Sequence, residues 1–204
     1  MKLLRFIIFF VIIYNHINNS LIASGGYDNG TSTGQGKLSL DFTLNPFNYF
    51  PEGQSYIVLS YGITKSFDIH GYYSIPAEGP HNYYNGIFYQ FYDHRFLDLS
   101  TAIGIRQYIP KSNQHLFFPQ ILYTIKINKK IQVGGSFVKI KDIKNNYKPL
   151  GQTTDIALLL SIYEAKDKFI DSINICLGVF KPALWTPKDK LWHYTYSIDF
   201  LINL

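Results

Sequence analysis

Ile57-Val58-Leu59-Ser60-Tyr61-Gly62-Ile63-Thr64-Lys65-Ser66-Phe67-Asp68-Ile69-His70-Gly71-Tyr72-Tyr73 reads as two strands folded about a tight turn at Thr64-Lys65. Successive side chains of a strand point to opposite faces. Ile57, Leu59 and Tyr61, then Phe67, Ile69 and Tyr73, therefore share an apolar face, while Ser60, Gly62, Asp68 and His70 share the other. A two-residue period with one apolar side fits a half-buried soluble sheet and equally a strand that meets lipid on one side and a barrel interior on the other.

The same rhythm recurs from end to end. Strands are expected near 37–45, 55–63, 66–74, 85–93, 97–107, 116–126, 130–140, 154–163, 171–180 and 193–204. The apolar frame continues through Leu38, Leu40 and Phe42, Ile87, Tyr89 and Phe91, Ile103 and Ile105, Ile156 to Ile162, and Ile173 to Val179, with no charge in it. A midplane charge against lipid costs about 2–4 kcal/mol, which accounts for that exclusion. The opposite frame is mostly Ser, Thr, Gln and small residues with scattered Asp, whereas a water-facing sheet would be dense in Lys and Glu. Connections alternate between tight turns (Thr64-Lys65, His94 to Phe96, Asn128-Lys129) and longer stretches (Asn45 to Gln54, Ile75 to Tyr84, Lys141 to Thr153, Lys181 to Trp192). An outer-membrane barrel has short turns at one rim and longer loops at the other. The expected fold is all-β: a single antiparallel up-and-down transmembrane β-barrel of about ten strands, filling residues 26–204.

Composition agrees. The 204 residues are 47% apolar, only 16% charged and 17% aromatic, with 17 Tyr whose rings suit a lipid boundary while their hydroxyls stay wet. Lys2 and Arg5 precede an apolar run from Phe6 to Tyr14 and small residues at Ala23 to Gly26, the layout of a cleaved signal peptide over residues 1–25. Its removal takes Lys2 and Arg5 and lowers the net charge from +5 to +3, too mild to argue for a nucleic-acid partner. Gly25 to Gly36, rich in Gly, Ser, Thr and Asn, is expected to be a flexible lead-in. The one cysteine, Cys176, has no partner within the chain for a disulfide.

Two stretches carry resemblances. Tyr196, Ile198, Phe200, Ile202 and Leu204 place an apolar residue at every second position up to the last, and resemble the C-terminal β-signal read by the barrel-assembly machinery, with Leu204 where Phe is usual. The hairpin Ser60 to Ile69 resembles one that recurs in outer-membrane barrels, including the phenol-degradation-pathway transport family; the resemblance covers this hairpin and implies architecture alone.

Candidate functional residues lie on the inward frame. Asp41, Asp68, His70, Asp98, Arg106 and Asp199 are expected to line the lumen, where opposite charges neutralise one another and plug or tune the interior. Asp68 and His70 lie two apart and point to one side, an arrangement that also serves a general base or half a metal site; a lumenal hydrogen-bonded pair is the plainer reading. No catalytic residue, metal ligand or cofactor is assigned. Ten strands lie near the eight-stranded case, whose interior side chains fill, so a wide pore is disfavoured. His81, Tyr83, Tyr84, Tyr147, Trp185 and Trp192 are placed in the long loops as an interfacial girdle, with Lys111, Lys141, Lys144, Lys148, Lys181 and Lys188 facing anionic lipopolysaccharide. The function expected is a structural or narrow-channel, porin-like outer-membrane protein of a Gram-negative envelope, its partners the membrane lipid and lipopolysaccharide and its ligand unassigned. The alternatives are a secreted soluble barrel that turns the apolar face inward around an apolar ligand, and a barrel-embedded envelope-lipid hydrolase using His70.

Overall fold

A computed structural model of the chain describes residues 29–43, 54–76, 81–109, 115–165, 168–181 and 192–204. The expected signal peptide, and Trp185, Lys111 and Lys188, lie outside these. The strands are β1 (Lys37–Thr43), β2 (Gln54–Gly62), β3 (Phe67–Pro76), β4 (His81–Asp93), β5 (Leu97–Ile109), β6 (Leu116–Phe117), β7 (Gln120–Lys126), β8 (Ile131–Asp142), β9 (Lys148–Glu164), β10 (Ile170–Lys181) and β11 (His193–Asn203). Neighbours run antiparallel in the order β4-β3-β2-β1-β11-β10-β9-β8, then β6 with β7, then β5, and β5 pairs with β4 to close the ring. Both β6 and β7 bridge β5 and β8, so they are two pieces of one stave. The stretch 116–126, expected to be unbroken, is interrupted at Phe118-Pro119, where proline offers no amide hydrogen to the ladder. The result is a closed ten-stranded antiparallel barrel, and closure leaves no sheet edge.

Outward and inward faces follow the sequence period. Ile57, Leu59, Ile69, Ile87, Ile103, Ile121, Ile156 and Leu177 are exposed, while Asp41, Asp68, Ser100, Thr124, Ser197 and Asp199 are buried. The molecule is apolar outside and polar inside, the reverse of a soluble domain. A soluble barrel with its apolar face turned inward is therefore not what this chain builds. Where a bulge interrupts the β4–β5 register between Gln90 and Tyr92, Phe91 and Tyr92 both emerge on the surface, since the extra residue resets the alternation.

Two connections are shorter than the sequence implied. The stretch Ile75 to Tyr84 is largely strand, because β3 runs to Pro76 and β4 starts at His81. Likewise Lys141 to Thr153 shrinks to a turn over 143–147, between β8 and β9. At its tip Asn146 and Tyr147 take positive φ, and Asp142 accepts the Lys144 amide at 3.0 Å and the Asn145 side chain at 2.5 Å. The polar residues Lys148, Gln152 and Thr153 look like loop, yet they continue a strand. β9 is 17 residues long, roughly 55 Å at strand rise, against an apolar band about 25 Å tall. A strand of this length outruns a band of that height, and polar residues in the part beyond it cost nothing in a ladder.

Candidate functional site in the barrel lumen

Inward side chains divide the lumen into three levels. The lowest, at the rim of the short turns, is formed by a segment expected to be flexible. Asn29 to Gly36 instead crosses the opening as a strap. Gly36 donates its amide to Gly62 O at 2.9 Å and accepts one from Leu204 at 3.2 Å, fixing the strap to the rim. From there Thr33 gives its amide to Asp68 Oδ2 at 2.7 Å and its hydroxyl to Ser60 at 2.9 Å. Ser32 gives its amide to Gln90 Oε1 at 2.8 Å and its hydroxyl to Lys65 O at 2.6 Å. Thr31 reaches Asp98 Oδ2 at 2.7 Å, and the Gly30 amide reaches Thr124 Oγ1 at 2.8 Å on the far wall. Gly30 lies so close to that wall that a Cβ on it would meet the Tyr123 Cα at 2.6 Å, and a Cβ on Gly62 would collide with the carbonyl oxygen of Gly34.

The strap carries no apolar side chain. A net hydrogen bond contributes about 1 kcal/mol, somewhat more to a carboxylate, and ordering a backbone residue costs about 1–2 kcal/mol. With roughly one bond per residue and nothing apolar to bury, the docked strap is near balance with a released one.

Above it lies a cavity of about 80 Å³ lined by Asn29, Thr31 and Thr33 of the strap and by Ser39, Asp41, Ser60, Asp68, His70, Phe88, Leu122 and Asp199 of the wall. Asp41 and Asp199 stand directly opposite on β1 and β11. Asp199 accepts from Ser197 Oγ at 2.9 Å and from Cys176 Sγ at 3.0 Å, and Asp41 accepts from Thr43 Oγ1 at 3.0 Å. Lining side chains thus include three carboxyl groups and no Lys or Arg. A cavity this size holds several waters.

The third level is aromatic. Tyr84 stacks on Tyr72 with centroids 5.1 Å apart and an interplanar angle of 10°, and meets Phe118 edge-on at 6.0 Å. Tyr84, Leu116, Phe118, Val138 and Ile140 form a buried cluster within the barrel. The Tyr84 ring lies over Gly86 and Gly104, cross-strand partners on β4 and β5, and a Cβ on either would strike it. Its hydroxyl meets His70 Nε2 at 3.0 Å and accepts from Gln120 Nε2 at 3.2 Å.

All six residues expected on the inward face thus have definite surroundings. Asp98, with 0% exposure, pairs with Lys126 at 2.6 Å, and Lys126 also reaches Asp93 at 3.2 Å. Asp68 sits under the strap; Asp41, Asp199 and His70 line the cavity. Arg106 departs from expectation. Among the described residues it has no carboxylate partner; it donates Nε–H to Tyr72 OH at 2.5 Å and lies 4.6 Å from the Phe118 ring centroid. Its charge is held by a hydroxyl and by aromatic faces instead. Tyr84, expected in a loop, is the central side chain of the aromatic level. Parity with Phe88 and Gln90 was the available sign, and His81 and Tyr83 likewise belong to β4.

The fold is porin-like. The chain is similar to a solved structure described as a KdgM porin, with a TM-score of 0.51 and 8% identity, over 82% of this chain and 99% of that one. That likeness is one of architecture. No family model matches the chain, and no curated protein does either, so the Ser60 to Ile69 hairpin carries no family assignment.

Proposed function

We propose that this chain is an integral outer-membrane barrel with a porin-like, non-enzymatic role, whose lumen is filled in the state described here and conducts, when it does, only through a narrow path. The observation that carries the reading is the inverted solvent pattern: a predominantly apolar face outside a closed barrel and buried carboxyl groups inside it. Lipid is the surrounding that such an outer face fits. Asp41, Asp68, His70, Asp98, Arg106 and Asp199 serve on this reading as lumenal packing and tuning groups. Tyr196, Ile198, Phe200, Ile202 and Leu204 act as the assembly signal, membrane lipid and lipopolysaccharide surround the barrel, and residues 1–25 direct export.

The deciding experiment compares boiled and unboiled outer-membrane fractions by gel electrophoresis. A band in that fraction that shifts on heating is expected. Recovery in the soluble fraction without detergent would overturn the proposal. Planar-bilayer recording of the purified barrel should then show a small or intermittent conductance; a steady wide-pore conductance would contradict a filled lumen.

A further inference from the structure

The strap has features of a moving part. It is polar throughout, is anchored at one end through Gly36, and takes its bends at Gly34 and Gly36, with φ of 87° and 73°. Nothing lies within 4 Å of a Cβ position on Gly36, so the chain at the anchor is open on that side. Its polar contacts beyond the hinge are hydrogen bonds that water can replace, to Ser60, Lys65 O, Asp68, Gln90, Asp98, Ser100 and Thr124. Behind it lies a chamber whose wall carries Asp41, Asp68 and Asp199. One oxygen of Asp68 accepts the Thr33 amide, and the other is buried with no hydrogen-bond partner among the described residues.

We propose that Asn29–Gly36 is a tethered plug that leaves and re-enters the short-turn mouth of the barrel, and that its departure opens the acidic chamber to small cations from that side. Thr31 and Thr33 supply hydroxyl and amide hydrogens to Asp98 and Asp68 when the plug is seated. When it leaves, Asp68, Asp41 and Asp199 face the opened mouth and draw cations while repelling anions, whereas Asp98 keeps its Lys126 partner. The aromatic level around Tyr84 narrows the far end, so cations enter the chamber from the short-turn side.

A single cysteine at Ser39, which lines the chamber, tests this in a Cys176→Ala background. The barrel in detergent is treated with a small cationic methanethiosulfonate reagent and with an anionic one of similar size. In the full chain, labelling is expected to be slow and to reach a rate that no longer rises with reagent concentration, because plug release limits it. Removing residues 29–33, or forcing the strap out with Gly62→Ala, should raise the rate at least tenfold, with the cationic reagent several-fold faster than the anionic. Heat-shifted gel migration verifies that each variant remains a barrel. Equal rates with and without the strap, equal rates for the two reagents, or complete protection of the full chain over days would each overturn the proposal. Because the assay needs a closed barrel and not its seat in a membrane, it fails independently of the localisation reading.

Discussion

At the level of single residues, the aromatic layer depends on two positions having no side chain. Gly104 on β5 and Gly86 on β4 leave the space that the Tyr84 ring occupies. Gly104→Ala forces that ring aside in a packed interior, and overpacking of this kind costs about 1–3 kcal/mol. A lowered urea midpoint in micelles is the expected outcome; an unchanged midpoint would show that the ring has room to move. Arg106 gives a second expectation. Tyr72→Phe takes away the hydroxyl that accepts from Arg106, leaving a poorly solvated donor, at a cost of about 1–2 kcal/mol. Adding Arg106→Leu to Tyr72→Phe should recover most of that loss, because it removes the charge that needs a partner. Equal losses in the single and double variants would rule out this coupling. The residues differ in how legible they were. Asp98 is readable as an inward charge from strand parity, and in the structure it pairs with Lys126. Arg106 is on the expected inward frame by parity alone, and its partners come from β3 and from the break at Phe118-Pro119, which no local pattern specifies. Tyr84 reads as loop because its neighbours Asn82 and Asn85 look like turn residues, while its parity with Phe88 points to β4, where it lies.

At the level of elements, register and strand centres were legible and strand ends were not. The period of two marks a segment only while one of its faces is apolar; beyond that, β9 continues on Lys148, Gln152 and Thr153 because its ladder with β8 continues. The strap was opaque for the opposite reason. Asn, Gly, Thr and Ser in succession look the same whether hydrated by water or hydrogen-bonded to lumenal Asp68 and Asp98. The last strand offers a test of a different kind. Leu204 is well exposed, and its recorded backbone bond is its own amide to Gly36 O, so Leu204→Ser should leave refolding in detergent unchanged. If β11 ends in an assembly signal, the same variant should lower the amount of barrel recovered from cells several-fold. Equal recovery would remove that role from Leu204.

At the level of the whole molecule, the outer surface decides what solvent the barrel belongs in. Ile87 and Ile103 face each other at mid-wall on β4 and β5. Ile103→Lys is expected to cost about 2–4 kcal/mol when folding is measured into lipid bilayers. A variant that folds as well as the parent there would place this wall outside the hydrocarbon. The fold class was readable because one rule, alternation, runs through the staves and is broken only at local bulges such as the one at Phe91-Tyr92. The contents of the lumen were not, since they depend on which inward side chains meet across the barrel.

The seam between β1 and β11 sets when this molecule can exist. Lys37 pairs with Asn203 and Thr43 with Ser197, so the first strand made is sealed only by the last. Until β11 arrives, β1 presents an unsatisfied row of amide and carbonyl groups, and in hydrocarbon each such group costs several kcal/mol. Contacts this distant in sequence also form slowly. A chain halted before β11 is therefore not a smaller barrel but an open sheet whose edge groups are free to pair with another strand.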